Sequence, residues 1–375
     1  MGSPSGLRRA GWKWVATAVV LALTTGYFAL PLFSASSQSP QGAAASPARL
    51  IFAPAASPPN APPAIQQATG RAASRPAVRS VLTVSIDGLN PDVIAKLGPD
   101  RAPNLHRLLA TGASTLNART EYEATQTLPN HTGMLTGRPV DTDLGGHGVR
   151  FNEDSGSTVH KSAGERVKSA FTVVHRNLGR TALFASKDKF AFLNRSWPGA
   201  IDKFRMIPSN KSLTRAALRD LSRKRRSFRF VHFSAPDVIG HASGYMSEEY
   251  LAAVQKTDHR LGRLMKRIQK IPRLRRHLVL LVTSDHGGRG FSHSDETAAV
   301  NYTVPFFVWG RGIEQNDLYA LNPAYADPGA TRPSYSGEQP IRNAVVANLV
   351  TQLLGIRAVP GSVFNESQSL KVYPD

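Results

Sequence analysis

The sequence predicts an α/β fold, a mostly parallel central sheet with helices on both faces. Three observations carry this. Short apolar runs rich in Val, Ile, Leu and Phe alternate along the chain with longer stretches of helical periodicity. The runs are apolar at consecutive positions rather than at every second one, which means that both of their faces are covered. No linker-like stretch interrupts residues 79–375, so these form one domain, large enough to keep a core without staples.

Residues 80–86 (SVLTVSI) are the first such strand, ending at Asp87-Gly88, and residues 103–110 read as a helix closed by Gly112. Strands follow at 181–185, 228–233 (FRFVHF), 278–283 (LVLLVT) and 304–308, with helices at 212–221, 247–271 and 341–354. In such a sheet, ligands bind beyond the carboxyl ends of the strands.

Residues 1–33 carry Arg8, Arg9 and Lys13 and then an uncharged run over 14–33. Its length matches the ~20 residues of a membrane span. A signal anchor or a signal peptide is expected, with the basic residues left on the cytoplasmic side. Either one places the rest of the chain outside the cytoplasmic membrane, membrane-anchored or secreted, in a periplasmic or extracellular setting. Residues 34–78 form an Ala/Pro/Ser-rich linker.

The chain has 375 residues and no Cys, which excludes disulfides, zinc ribbons, thiol nucleophiles, Fe–S clusters and a formylglycine made from Cys. The net charge is +20. Six basic residues and no acid lie in 1–78, six basic residues face only Asp220 within 219–229, and nine face only Asp258 within 256–276. The rest is almost neutral. No RRM, KH, zinc-finger or helix-turn-helix signature accompanies these segments, so no specific nucleic acid binding is expected.

Three strands end in side chains that bind metals. Asp87 closes the first, Asp237 and His241 (APDVIGH) follow 228–233, and Asp285 and His286 (SDHGG) follow 278–283. Singly, each has an ordinary reading as a turn or surface residue. At three parallel strand ends they form an oxygen and nitrogen donor set suited to Zn, Mn or Fe. His293 (FSHSD), the last histidine of the chain, is a further candidate. Thr127, in ATQTLPNHTGMLTG, stands where a helix N-terminus favours anions, as a nucleophile or simply as a cap.

The ordered series IDG, TLPNH…TG, HGVRFN, PDVIGH and SDHGG resembles the type I phosphodiesterase/nucleotide pyrophosphatase family of the alkaline phosphatase superfamily. The resemblance implies an alkaline-phosphatase-like fold and two metal ions, normally zinc. Asp87, Asp285, His286 and Thr127 would hold one; Asp237, His241 and a third histidine would hold the other. The distant motif that carries this histidine in the pyrophosphatases is absent, and His293 takes its place. Thr127 would become phosphothreonine, with net retention at phosphorus, and Asn152 (HGVRFN) would donate to a non-bridging phosphoryl oxygen. Leu128 replaces the phenylalanine that usually follows the nucleophile, which turns the expectation from nucleotides toward other small phosphodiester substrates. The alternative within the superfamily is a phosphomonoesterase or phosphoryl-group transferase. The alternative of another class is a polyanion- or membrane-binding protein without catalysis.

The helix at 247–271 carries two stripes. Leu251, Val254, Leu261, Met265 and Ile268 form the core face, and Asp258 falls among them. A buried carboxylate needs a partner; it is expected to accept a hydrogen bond from a ligand imidazole or to pair with an arginine. Lys256, Arg260, Arg263, Arg267 and Lys270 form the outer stripe, either a solvated face or a contact for an anionic membrane surface.

Overall fold

The computed structural model describes residues 77–374. The expected anchor or signal peptide at 1–33, and all but the last two residues of the expected linker, lie outside the described residues. Among the described residues no helix is long and apolar enough to cross a membrane.

Among the described residues eight strands build one sheet: β1 (Ser80–Ile86), β2 (Ala113–Arg119), β3 (Thr181–Ala185), β4 (Phe204–Met206), β5 (Phe228–Phe233), β6 (Leu278–Thr283), β7 (Thr303–Gly310) and β8 (Asn316–Asp317). Their order is β4-β3-β5-β1-β6-β7-β2-β8. β1 runs parallel to both β5 and β6, and β3 parallel to β5. β7 is antiparallel to β6 and to β2, so it alone runs against the rest.

The consecutive apolar residues feed two cores, one on each face. In β5, Phe228 and Phe230 enter one core while Val231 and Phe233 enter the other; in β6, Val279 and Leu281 oppose Leu280 and Val282. The first core is closed by the Thr127–Thr136, Ala170–Leu178 and Val346–Leu353 helices, the second by the Pro103–Thr111, Asn210–Arg223 and Glu248–Lys270 helices. Emptying such a position, as in Phe230→Ala, costs about 3–5 kcal/mol.

The sequence did not announce β2, whose ASTLNAR lacks an apolar run and is interrupted by a register shift between Thr115 and Ala118. The short edge strands β4 and β8 carry equally little signal.

Asp258 is buried on the Glu248–Lys270 helix, but its partner is neither an imidazole nor an arginine. Its Oδ1 accepts from the backbone N–H of Leu105 (2.7 Å) and Asn104 (3.0 Å), and its Oδ2 accepts from Asn104 Nδ2 (2.8 Å). It therefore caps the Pro103–Thr111 helix from outside. The residue at that helix's own cap position, Ala102, has no side-chain acceptor to offer. Burial nevertheless raises the carboxyl above its ordinary range.

Candidate active site

Four neighbouring strands, β3-β5-β1-β6, deliver side chains to one edge of the sheet. Asp87 follows β1, Asp237 lies in the first turn of the Ala235–Ser243 helix after β5, and Asp285 and His286 follow β6. β3 contributes Lys187, two residues past its end. Asp87, Asp237, Asp285 and His286 are all buried.

Lys187 binds three of the oxygens. Its Nζ lies 2.7 Å from Asp87 Oδ2 and 2.6 Å from Asp237 Oδ2, and it donates to Thr127 Oγ1 at 3.1 Å. Burial alone would lower the ammonium's pKa, but Asp87, Asp237 and Asp285 raise it above the ordinary lysine range. The effect is mutual. Burial pushes Asp87 up, yet Lys187 and the His232 hydrogen bond overcome it and hold the carboxyl well below its usual range. Asp285 is farther from that help and is pushed up to about 7 by burial and by Asp87.

The imidazoles are set by their backbone partners. A carbonyl can only accept, so Nδ1 carries the proton in His286 (to Gly287 O, 2.8 Å), His241 (to Phe291 O, 2.8 Å) and His293 (to Thr125 O, 2.5 Å). Each Nε2 is left with a lone pair. His286 Nε2 stands 3.4 Å from both Asp87 Oδ1 and Asp285 Oδ2, and none of these three atoms has a hydrogen-bond partner. His241 Nε2 and His293 Nε2 face each other at 3.1 Å and lie 3.4 and 3.6 Å from Asp237 Oδ1. Lone pairs and carboxylate oxygens pointed at one another repel unless a cation lies among them. Two groups, Asp87/Asp285/His286 and Asp237/His286/His293, bring their donor atoms within 4.8 Å. The donor set and its orphaned atoms thus fit two divalent ions.

Thr127 is the first residue of its helix and is fully buried. Thr125 does not cap this helix; its hydroxyl donates to the His293 carbonyl, so the loop before Thr127 and the loop carrying His293 are tied together at two points. Asn152 Oδ1 accepts from the N–H of Leu128 at 3.0 Å. Leu128 itself is fully buried in the first core, where it packs instead of facing a substrate. Arg150, two residues before Asn152, turns to the surface and pairs with Asp141.

A family model described as "Type I phosphodiesterase / nucleotide pyrophosphatase" matches residues 81–339. The chain belongs to this family. Ectonucleotide pyrophosphatase/phosphodiesterase family member 1 of Rattus norvegicus is 26% identical over 220 residues, 55% of this chain and 24% of that protein. GPI ethanolamine phosphate transferase 1 of Yarrowia lipolytica is 24% identical over 161 residues, 41% of this chain and 17% of that protein. The chain therefore spans about a quarter or less of these relatives. The solved structure of murine ectonucleotide pyrophosphatase/phosphodiesterase 5 shares the fold, with a TM-score of 0.55 at 16% identity over 78% of this chain and 99% of that one.

Within this phosphodiesterase family member, Asp87, Thr127, Asp237, His241, Asp285, His286 and His293 converge on one edge, with Asn152 beside them; Asp258 is elsewhere, capping a helix. Three contributors escaped the sequence reading. Lys187 sits at a fourth strand end. His232, inside FRFVHF, directs Nε2 to Asp87 Oδ2 at 2.7 Å, and its signal was a polar residue within a buried strand, one that Arg229 in the same strand shares. Tyr245 donates to Asp237 Oδ1; nothing in the sequence around it marks that role.

Proposed function

We propose that this chain cleaves phosphodiester bonds, nucleotide pyrophosphates being one form of that substrate, with Thr127 as nucleophile. The observation that carries the reading is the position of Thr127 Oγ1, at a helix N-terminus and bound to the ammonium that also bridges Asp87 and Asp237. Asp87, Asp285, His286 and Thr127 would hold one ion and Asp237, His241 and His293 the other. Zinc suits this donor set, and two such ions supply Lewis-acid stabilisation of the phosphoryl oxygens.

The chain's own residues do the rest. Lys187 donates to Thr127 Oγ1 and favours its deprotonated form. That oxygen attacks phosphorus in line, the bond to the leaving oxygen breaks, and phosphothreonine forms. Water enters from the vacated side, releasing the phosphate product and restoring Thr127, so two inversions give net retention. Asn152, fixed through Oδ1 to Leu128 N–H, offers its Nδ2 to a non-bridging oxygen; a neutral donor suits the single charge of a diester. The N-terminal uncharged run supports a setting outside the cytoplasmic membrane, anchored or secreted.

The test compares bis-p-nitrophenyl phosphate with p-nitrophenyl phosphate, using the full chain with its metal content measured. Bound zinc, a preference for the diester and loss of turnover in Thr127→Ala are expected. Equal turnover by the Thr127→Ala variant would remove the covalent route, and a strong monoester preference would favour a phosphomonoesterase.

A second reading, phosphoryl-group transfer, is supported by the similarity to the Yarrowia lipolytica transferase. An alcohol would then replace water in the second displacement. Phosphorylated acceptor formed at the expense of hydrolysis when glycerol is added would favour it.

A further inference from the structure

We propose that the amino-terminal edge of the sheet, opposite the candidate active site, is a docking surface for an anionic phospholipid membrane. The four central parallel strands each begin close to arginine. Arg79 precedes β1, Arg180 precedes β3, Arg225 and Arg226 lie just before β5, and Arg276 lies two residues before β6. With Arg273 they surround a cavity of about 660 Å³ that no carboxylate lines.

Two of the six are occupied within the fold. Arg226 Nε binds both oxygens of Asp220 at 2.9 Å, and Arg273 donates to the Leu221 carbonyl at 2.6 Å. Arg79, Arg180, Arg225 and Arg276 are exposed, and their guanidinium groups make no hydrogen bond or ion pair among the described residues. Four like charges brought by separate segments to one concavity repel one another, and an external anion relieves that repulsion.

The lining says which anion. Leu178, 43% exposed, stands among the arginines, no Phe, Tyr or Trp lines the cavity, and its one imidazole, His277, is tied to the Ala77 carbonyl. Stacking platforms for nucleic-acid bases are therefore missing. Cations beside an exposed aliphatic side chain match the boundary between lipid head groups and acyl chains. The positive surface continues into the groove between the Asn210–Arg223 and Glu248–Lys270 helices, where Arg215, Arg219 and Arg223 face Arg263 and Arg267 without an acid among the lining residues.

The chain enters the fold at this same edge. Arg79 N–H donates to the His277 carbonyl and His277 Nδ1 to the Ala77 carbonyl, each at 2.9 Å. The uncharged run 14–33 thus precedes the edge that carries the arginines. The candidate active site lies at the other end of the strands. A seven-residue strand such as β1 spans roughly 20 Å at about 3.3 Å per residue, so docking leaves the site open to solution.

The chain has no cysteine, so Ser227→Cys, in the lining of the cavity, gives one labelling position. The full chain, labelled there with an environment-sensitive fluorophore, is placed in nanodiscs of phosphatidylcholine with or without phosphatidylglycerol. Emission is expected to rise severalfold in the anionic discs and to fall back in about 1 M salt, where screening acts within about 3 Å. Each arginine removed weakens the contact about fivefold. The combined variant Arg180→Gln, Arg225→Gln and Arg276→Gln should therefore lose the response while its unfolding midpoint is unchanged. Equal emission in neutral and anionic discs, a full response in the combined variant, or an equal response to a single-stranded oligonucleotide in neutral discs would each overturn the proposal. None of these outcomes depends on whether the chain is a phosphodiesterase.

Discussion

The hydroxyl of Tyr245 lies 2.5 Å from Asp237 Oδ1, and its ring fills space that two motif glycines leave open. A Cβ at Gly240 or Gly288 would stand 2.7 or 2.3 Å from that ring. PDVIGH and SDHGG therefore share a structural reason for their glycines, which is to admit the side chain that orients a candidate ligand. Tyr245→Phe keeps the ring and removes the donor. Metal content or affinity should fall about 10–100-fold, read by competition with a chromogenic chelator; unchanged affinity would show that Asp237 needs no such support.

Lys187 and the proposed ions compete for the same carboxylates. In Lys187→Met the metal-free protein is expected to lose about 3–5 kcal/mol, since breaking a buried pair leaves charge uncompensated. Metal should recover most of that loss. Thermal unfolding with EDTA and with added zinc separates the two states, and an unchanged midpoint in EDTA would contradict the prediction.

Asp258→Ala removes an external helix cap. Stability should drop by about 1–2 kcal/mol, measured by urea unfolding, with metal content unchanged. A loss of metal without loss of stability would return Asp258 to the neighbourhood of the ligands.

Glu121 is buried, and its carboxyl is pushed up to about 8 by that burial and by Glu123 beside it. Its ordinary value is 4.5. As pH rises from 4.5 to about 8, the unfolded chain gives up this proton while the folded chain keeps it, so stability falls through that window and levels off above it. The loss from this group is about 5 kcal/mol. Glu121→Gln should flatten the profile, so the stability difference between variant and wild type should shift in the variant's favour from pH 5 to pH 8. Parallel denaturation curves at the two pH values would argue against a shifted Glu121.

Much of the candidate site was legible because Asp87, Asp237 and Asp285 lie within four residues of the ends of strands that announce themselves. A strand buried on both faces carries apolar residues on both of them, and the carboxylates come only after its last apolar residue. Lys187 follows a strand just as closely, yet a lysine after Ser186 reads as a solvated residue. Only the placement of β3 beside β5 turns it inward. Asp258 shows the opposite case. Its burial was readable from the apolar stripe around it, but its partner depends on how two helices pack.

By itself, the sequence determined the main strands, the long helices and the set of polar residues at their ends, because periodicity and end signals are written within a few neighbouring residues. The tertiary structure decided the reversed direction of β7, the pairing of Lys187 with Asp87 and Asp237, and the gathering of Arg79, Arg180, Arg225 and Arg276 around one cavity. These join segments that are distant in sequence. They follow from sheet order and packing of the whole chain, which no local pattern encodes.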